Sequence, residues 1–261
     1  MTWLRTLVVA GLLTYRALFG WMSPWILVPS LIVTPLAQIL FFAYIGRGAG
    51  VASDEFFIVG NAIQYAAIPC LIGTTSTIAG ERIQGTLGLI FISPASRVAL
   101  IVGRTLPVVF NGLGVSVFGL LAGSAVLGTD PHVSSLGSIV LTIIVSVIAC
   151  TGLGLVNAAL GLILRDTAML SNLFFGALLL ISGANIPRDS LPGWLNQLGA
   201  WLPLTHGIEA VRMLAAGATI TGVSNLLYAE ITIGIAYWFL GAVLLRVLEK
   251  HSRTAALLEL S

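Results

Sequence analysis

Residues 136–164 read LGSIVLTIIVSVIACTGLGLVNAALGLIL, and from Leu136 to Leu164 no side chain carries a charge. A helix crosses a ~30 Å hydrocarbon core at about 1.5 Å per residue, so about 20 mostly apolar residues suffice to span it. This stretch exceeds that length. It is continuously apolar, whereas the strands of a membrane β-barrel alternate apolar and polar residues over ~10-residue segments. With no water to satisfy backbone groups in lipid, the segment must be a helix. The chain around it has the same character: of 261 residues, 57% are hydrophobic and 8% charged. Soluble domains carry roughly 25% charged residues. A mean hydropathy of +1.04 names lipid as the main solvent.

Working outward, the gaps between charges delimit the other spans. No charge falls between Arg16 and Arg47, between Glu55 and Glu81, or between Arg104 and Asp130; Asp166 and Arg188 bound a fifth gap, and Leu226 to Leu248 is broken only by Glu230 and Arg246. The expected architecture is an all-α membrane protein, one transmembrane domain with six spans at 22–45, 56–79, 98–127, 136–164, 168–185 and 226–248. Residues 1–20 read as an interfacial helix, with Trp3, Arg5, Tyr15 and Arg16 suited to headgroups and Leu4, Leu7, Val8, Leu12 and Leu18 to the tails. They do not read as a cleaved signal peptide, because no small-residue cleavage site follows the short apolar run from Leu7 to Leu13.

Orientation follows from the basic residues of the short loops. Six spans place both termini on one side, together with Arg5, Arg16, Arg82, Arg97, Arg104, Arg165, Arg246, Lys250 and Arg253. Only Arg47, Arg188 and Arg212 fall on the other side. Both termini are therefore expected in the cytoplasm, with the protein in the cytoplasmic membrane.

Several chemistries are excluded. The only lysine is Lys250, between Glu249 and His251, so no glycine-rich phosphate loop followed by lysine exists in these residues. No H-E-x-x-H pattern occurs, and Cys70 and Cys150 have no metal-type spacing. A net charge of +2 gives no reason to expect nucleic-acid binding. Inside the spans the polar residues are amides: Asn61, Gln64, Asn111, Asn157 and Asn172. They are candidates for interhelical hydrogen bonds or for a polar transport path. Glu230 is expected about one turn from the outer end of the last span, an interfacial carboxylate near water. The abundant glycines, such as Gly152 and Gly154, suit close helix packing.

Two segments outside the spans carry more specific information. The loop after the second span, Glu81 to Arg97, is amphipathic, with Leu87, Ile90 and Phe91 at helical spacing and Pro94 as a stop. The segment between the fifth and sixth spans, 186–215, holds Pro187, Pro192 and Pro203 with Trp194 and Trp201, suited to short helices dipping into the outer leaflet. Glu209 and Arg212, at i and i+3, are positioned to pair.

These two segments resemble the membrane subunits of type-2 ABC transporters, the exporter permeases. The first matches their E-x-x-x-G-T-[LF]-x-x-[LI]-x-x-[ST]-P pattern at Glu81, Gly85, Thr86, Leu87, Ile90, Ser93 and Pro94. The second matches their L-P-x-W-L and P-L-T-x-x-[IV]-E-x-[VIL]-R patterns at Leu191 to Leu195 and Pro203 to Arg212. The chain departs from the family at Gly88, where an acid is common. The resemblance implies that residues 80–95 form a coupling helix, with Glu81, Arg82, Gly85, Thr86, Leu87, Ser93 and Pro94 engaging an ABC ATPase subunit. It implies an outer gate at Pro192, Trp194, Pro203, Thr205, Glu209 and Arg212. Two ATPase subunits, which bind ATP and Mg, and a second permease half of the same or a related chain are the implied partners. No cofactor and no catalytic site are expected in this chain. The expected activity is ATP-driven export of an amphiphilic drug or antibiotic. Lipid-linked polysaccharide is the alternative cargo, although 8% aromatic residues shows no glycan-channel excess. An ATP-independent channel or scaffold is the alternative of another class, to be favoured if no ATPase associates with the chain.

Overall fold

The computed structural model describes all residues except 1–2, 21–22, 24, 26–28, 84–96, 130–134, 163, 165 and 260–261. Among the described residues every regular element is helical. Helix α1 is Trp3–Phe19, and α2 is Thr34–Ala49, entered through a π-helical turn at Pro29–Val33. Helix α3 is Asp54–Gln64; a π-helical turn at Pro69–Gly73 leads from it towards α4, Thr74–Ile83. Helices α5 (Arg97–Leu127) and α6 (Leu136–Leu160) follow. Then come α7 (Thr167–Ile181), the short α8 (Gly193–Ala200) and α9 (Thr205–Ala215), and finally α10, Ser224–Glu259.

Among the described residues five stretches are long and apolar enough to cross a membrane: Leu31–Ala49, Asp54–Ile78, Ala99–Leu127, Leu136–Leu160 and Ser224–Val247. The expected first span began earlier, at residue 22; part of 22–28 lies outside the described residues. The expected fifth span, 168–185, is shortened. Helix α7 ends at Ile181, and its 15 residues rise only about 22 Å. The chain turns at Gly183, whose φ of 86° suits glycine, and Pro187 follows. The fourth helix also stops before the expected residue 164, at Leu160.

Helix α6 stands at the centre. It packs against α10, α4, α5 and α9, and Ile139, Ile143, Val147 and Cys150 are fully buried on it. The core joins these side chains to Ile39, Ile58, Ile63 and Leu71 from the first two spans and to Leu204, Ile208 and Leu214 from α9. The contact between α6 and α10 is close because it is made of small residues. A Cβ at Gly234 would lie 2.9 Å from the Ala149 Cβ, and one at Gly152 would lie 3.0 Å from the Trp238 backbone nitrogen. In lipid, where helices gain little from hiding apolar surface, this close approach supplies the dispersion energy that holds them together.

The outward faces are apolar. Only 17% of the Ser224–Val247 window is buried, and Tyr228, Ile235, Phe239 and Val247 stand exposed. Phe41, Phe110 and Leu173 do the same on other helices. So much exposed apolar surface is foreign to a water-soluble monomer. The protein is a multi-pass membrane protein.

Helix α1 is present, but its buried stripe is not leucine. Thr6, Ala10 and Thr14, at i, i+4 and i+8, are buried, while Leu4, Val8 and Leu12 are exposed. The stripe packs along α5, where a Cβ at Gly103 would approach the Ala10 Cβ to 2.9 Å.

Candidate functional site

The richest polar architecture lies in the 182–216 segment and the helices that grip it. After α7 the chain makes a bend through 182–187 and a 3-10 turn at Arg188–Ser190. Pro192 sits just before α8 with extended backbone, where its fixed φ leads into the helix. Leu204 (φ 73°) delivers the chain into α9. Trp194 and Trp201 are exposed on the surface of this segment, as interface anchors would be.

Three anchors fix the segment. The first is Glu230, which was expected near water and is instead fully buried on α10. Its Oε1 accepts the Leu204 amide at 2.7 Å and its Oε2 accepts the Gly207 amide at 3.2 Å. It therefore caps the N-terminus of α9 from a different helix, supplying two acceptor oxygens to amides that have no partner within the helix. The position six residues into α10 reads as interfacial only while α9 is unknown; the folded segment covers it. Gly207 permits this approach, because a Cβ there would overlap the Ser146 hydroxyl of α6.

The second anchor is Arg212. Its Nη2 donates to the carbonyls of Phe56 at 3.0 Å and Ala184 at 3.2 Å, and its guanidinium lies 3.6 Å from the centre of the Phe56 ring. Burial pushes the guanidinium down to about 10, and the charge of Glu209 opposes that shift. The group stays cationic at neutral pH. The expected i, i+3 pair of Glu209 and Arg212 is replaced by another partner: Glu209 Oε2 meets Arg188 Nη1 at 3.4 Å. Arg212 points inward to the carbonyls, whereas Glu209 is exposed and faces the 3-10 turn. The third anchor is Arg188 itself, whose Nε and Nη2 hold Asn196 Oδ1 of α8 at 2.9 and 2.7 Å.

The remaining residues expected at the gate lie in the same place. Pro203 and Thr205 are buried beneath the segment, and Thr205 Oγ1 has no hydrogen-bond partner. His206 Nε2 lies 3.0 Å from the Ala200 carbonyl oxygen. All six expected gate residues thus belong to one structural unit, and sequence reasoning missed the carboxylate that fastens it. The signal available was an acid inside an otherwise uncharged stretch, which in a membrane marks a partner elsewhere.

The amides divide three ways. Asn61 donates to the Phe57 carbonyl and to Asn185 Oδ1 at 2.8 Å, and accepts from Gln38 at 3.2 Å; Ser182 donates to Gln64 Oε1 at 3.4 Å. These contacts tie the second span to α2 and to the chain after α7. Asn157 Nδ2 donates to Thr75 Oγ1 and Ser171 Oγ, both at 2.7 Å, joining α6 to α4 and α7. Asn172 is exposed on α7, and Asn111 is half-buried on α5. The structure therefore does not line the five amides along one path within this chain.

Of the residues expected in the coupling helix, Glu81 and Arg82 fall in the last turn of α4. Gly85, Thr86, Leu87, Ser93 and Pro94 lie outside the described residues.

The sequence profile of the family described as ABC-2 type transporter matches residues 10–216, from within α1 to just beyond α9. The chain belongs to the ABC-2 type transporter family. The match takes in the whole 182–216 segment and four of the five stretches long enough to cross a membrane. Among curated proteins, this ABC-2 family member is 25% identical over 166 residues to the "Probable multidrug ABC transporter permease YbhR" of Escherichia coli strain K12. The protein of the same name in Escherichia coli O157:H7 gives the same values. The alignment covers 61% of this chain and 44% of those relatives, so the chain spans less than half the length of the curated relatives it matches.

Proposed function

We propose that this chain is the membrane half of an ATP-driven exporter that moves an amphiphilic small molecule, a drug or natural product, out across the cytoplasmic membrane. The observation that carries the reading is the family match over residues 10–216. The name of the Escherichia coli relatives, a probable multidrug permease, favours small amphiphiles over polysaccharide. Helix α7, short as it is, serves as a sixth span whose missing length is made up by the 182–192 bend and α8, and both termini lie in the cytoplasm. Residues 80–95 form the coupling helix, which enters the cleft of an ABC ATPase subunit. Two such ATPases bind ATP and Mg and drive two permease halves, the same or related chains. The absence of any lysine but Lys250 from this sequence fits an external motor.

In this reading the 182–216 segment is the outer gate. Its fastenings run to the second span through Arg212 and to the last through Glu230. Closure of the ATPase dimer would favour one arrangement of these helices over another, as any ligand with different affinity for two states does. The test is to reconstitute the chain with its ATPase in proteoliposomes and replace Glu81 or Thr86 by alanine. The reading expects cargo-stimulated ATP hydrolysis to fall while the complex still assembles; unchanged coupling in both variants refutes the role given to residues 80–95.

A further inference from the structure

We infer that a groove between α1, the start of α2 and the middle of α5 is a binding site for a single amphiphile with an apolar chain and one hydroxyl, carbonyl or amide group. The groove is open along one side and has a volume of about 600 Å³, within the range of small-molecule sites. Leu7 and Gly11 of α1, Leu31 at the entry to α2, and Leu106 and Phe110 of α5 give it apolar walls, and Asn111 is the one amide among its described lining residues.

The position of Asn111 sets the chemistry. It lies near the midpoint of Arg97–Leu127, and so at hydrocarbon depth if that helix spans a bilayer. Asn61, Gln64 and Asn157 each have a hydrogen-bond partner within the bundle. Among the described residues no hydrogen bond is formed by the Asn111 side chain, which is half-buried in the groove wall. An amide facing hydrocarbon without a partner is costly, and it offers both a donor and an acceptor to whatever occupies the groove. A purely hydrocarbon occupant leaves that cost in place; an amphiphile removes it.

The backbone gives the groove its shape. At one end α1 and α5 nearly touch, since a Cβ at Gly11 would lie 3.2 Å from the Gly103 carbonyl oxygen. Four residues further along α5, Pro107 stands at the groove, and it has no N–H to return to that carbonyl. Towards Asn111 the groove is lined by both helices, with Leu31 bordering it as well. The inference takes the bilayer from the apolar outer surface of the bundle, and it rests on the exporter reading only in extending it, by giving the amphiphile a binding place.

The test uses the full chain in phosphatidylcholine nanodiscs and two photoreactive probes, dodecanol and dodecane, each with the same diazirine. Peptide mass spectrometry reads the labelling of residues 7–15 and 106–111. The alcohol should label these residues about tenfold more than the alkane, the worth of one hydrogen bond in a dry setting. Asn111→Leu should bring the alcohol down to the level of the alkane, Asn111→Gln should retain most of the preference, and Gly11→Leu should reduce labelling by both probes. Equal labelling by the two probes in the unaltered chain overturns the site. So does Asn111→Leu without effect in a folded chain, judged by an unchanged melting profile. If Asn111→Leu does not fold, competition in the unaltered chain decides: unlabelled dodecanol should displace the probe and dodecane should not, and equal competition overturns the site. Solvent extraction of the purified chain distinguishes the sources of the ligand. A retained membrane lipid that dodecanol displaces assigns the groove to a lipid; a groove filled only by added alcohol assigns it to a transported amphiphile. Labelling needs no ATP, so it stands or falls apart from transport.

Discussion

Replacing Glu230 by alanine should release the 182–216 segment from the bundle. The carboxylate accepts two backbone amides, from Leu204 at 2.7 Å and Gly207 at 3.2 Å, at the start of α9. Removing the acceptors leaves two buried backbone amides unpaired, at a cost of about 1–3 kcal/mol each. Removing the carboxyl group also removes its own cost of burial, which offsets part of this. The net loss expected for Glu230→Ala is therefore about 3 kcal/mol. Glu230→Gln keeps one acceptor but turns an NH2 group towards the other amide, so about 2 kcal/mol is expected there. Reversible unfolding in mixed micelles measures the loss, and limited proteolysis between Pro187 and Ala216 reads the local release. If Glu230→Ala unfolds within about 0.5 kcal/mol of the parent, with the segment equally resistant to protease, the account of Glu230 as the fastening of α9 is refuted.

Three further outcomes follow from the same geometry. Arg212→Lys keeps the charge but loses the planar fork shared by the Phe56 and Ala184 carbonyls and the stacking on the Phe56 ring; unfolding in micelles should cost about 2 kcal/mol. Gly234→Val presses a branched side chain against Ala149 of α6, and cysteine cross-linking between α6 and α10 should show the two helices separated, with about 2–3 kcal/mol lost. Asn157→Ala removes two hydrogen bonds to Thr75 and Ser171, yet it should cost only about 1 kcal/mol, because such bonds are worth little against an unfolded state that remains in the membrane.

The spans were legible because charge is costly in lipid, so gaps between Arg16, Arg47, Glu55, Glu81 and Arg104 mark helices almost directly. Their ends were less so. Nothing in the apolar run after Thr167 marks the stop at Ile181; it depends on Gly183 taking φ 86° and on α8 folding back beside α7. The short helices of 186–215 were legible through its proline and tryptophan pattern, and the residues expected at an outer gate lie together there because they are close in sequence. Their partners were not. Periodicity pairs Glu209 with Arg212 along one helix, while the fold turns Arg212 to the carbonyls of Phe56 and Ala184, which belong to other elements. Glu230 was misread for the same reason: its depth was counted along α10 alone, and burial by α9 is a tertiary property. Among the amides, Asn61 and Asn157 looked identical to Asn111 in sequence. Only the presence or absence of a facing Thr75, Ser171 or Asn185 separates a helix joint from an open site.

The central claim is that this ABC-2 family chain moves its cargo with energy supplied by another chain. The most direct measurement is uptake of a fluorescent amphiphilic drug into inside-out vesicles that hold the chain together with its ATPase. The account predicts accumulation that requires hydrolysable ATP and disappears when the ATPase is left out or its phosphate-binding lysine is replaced. Equal flux with and without a working ATPase would contradict it and make the chain a passive channel.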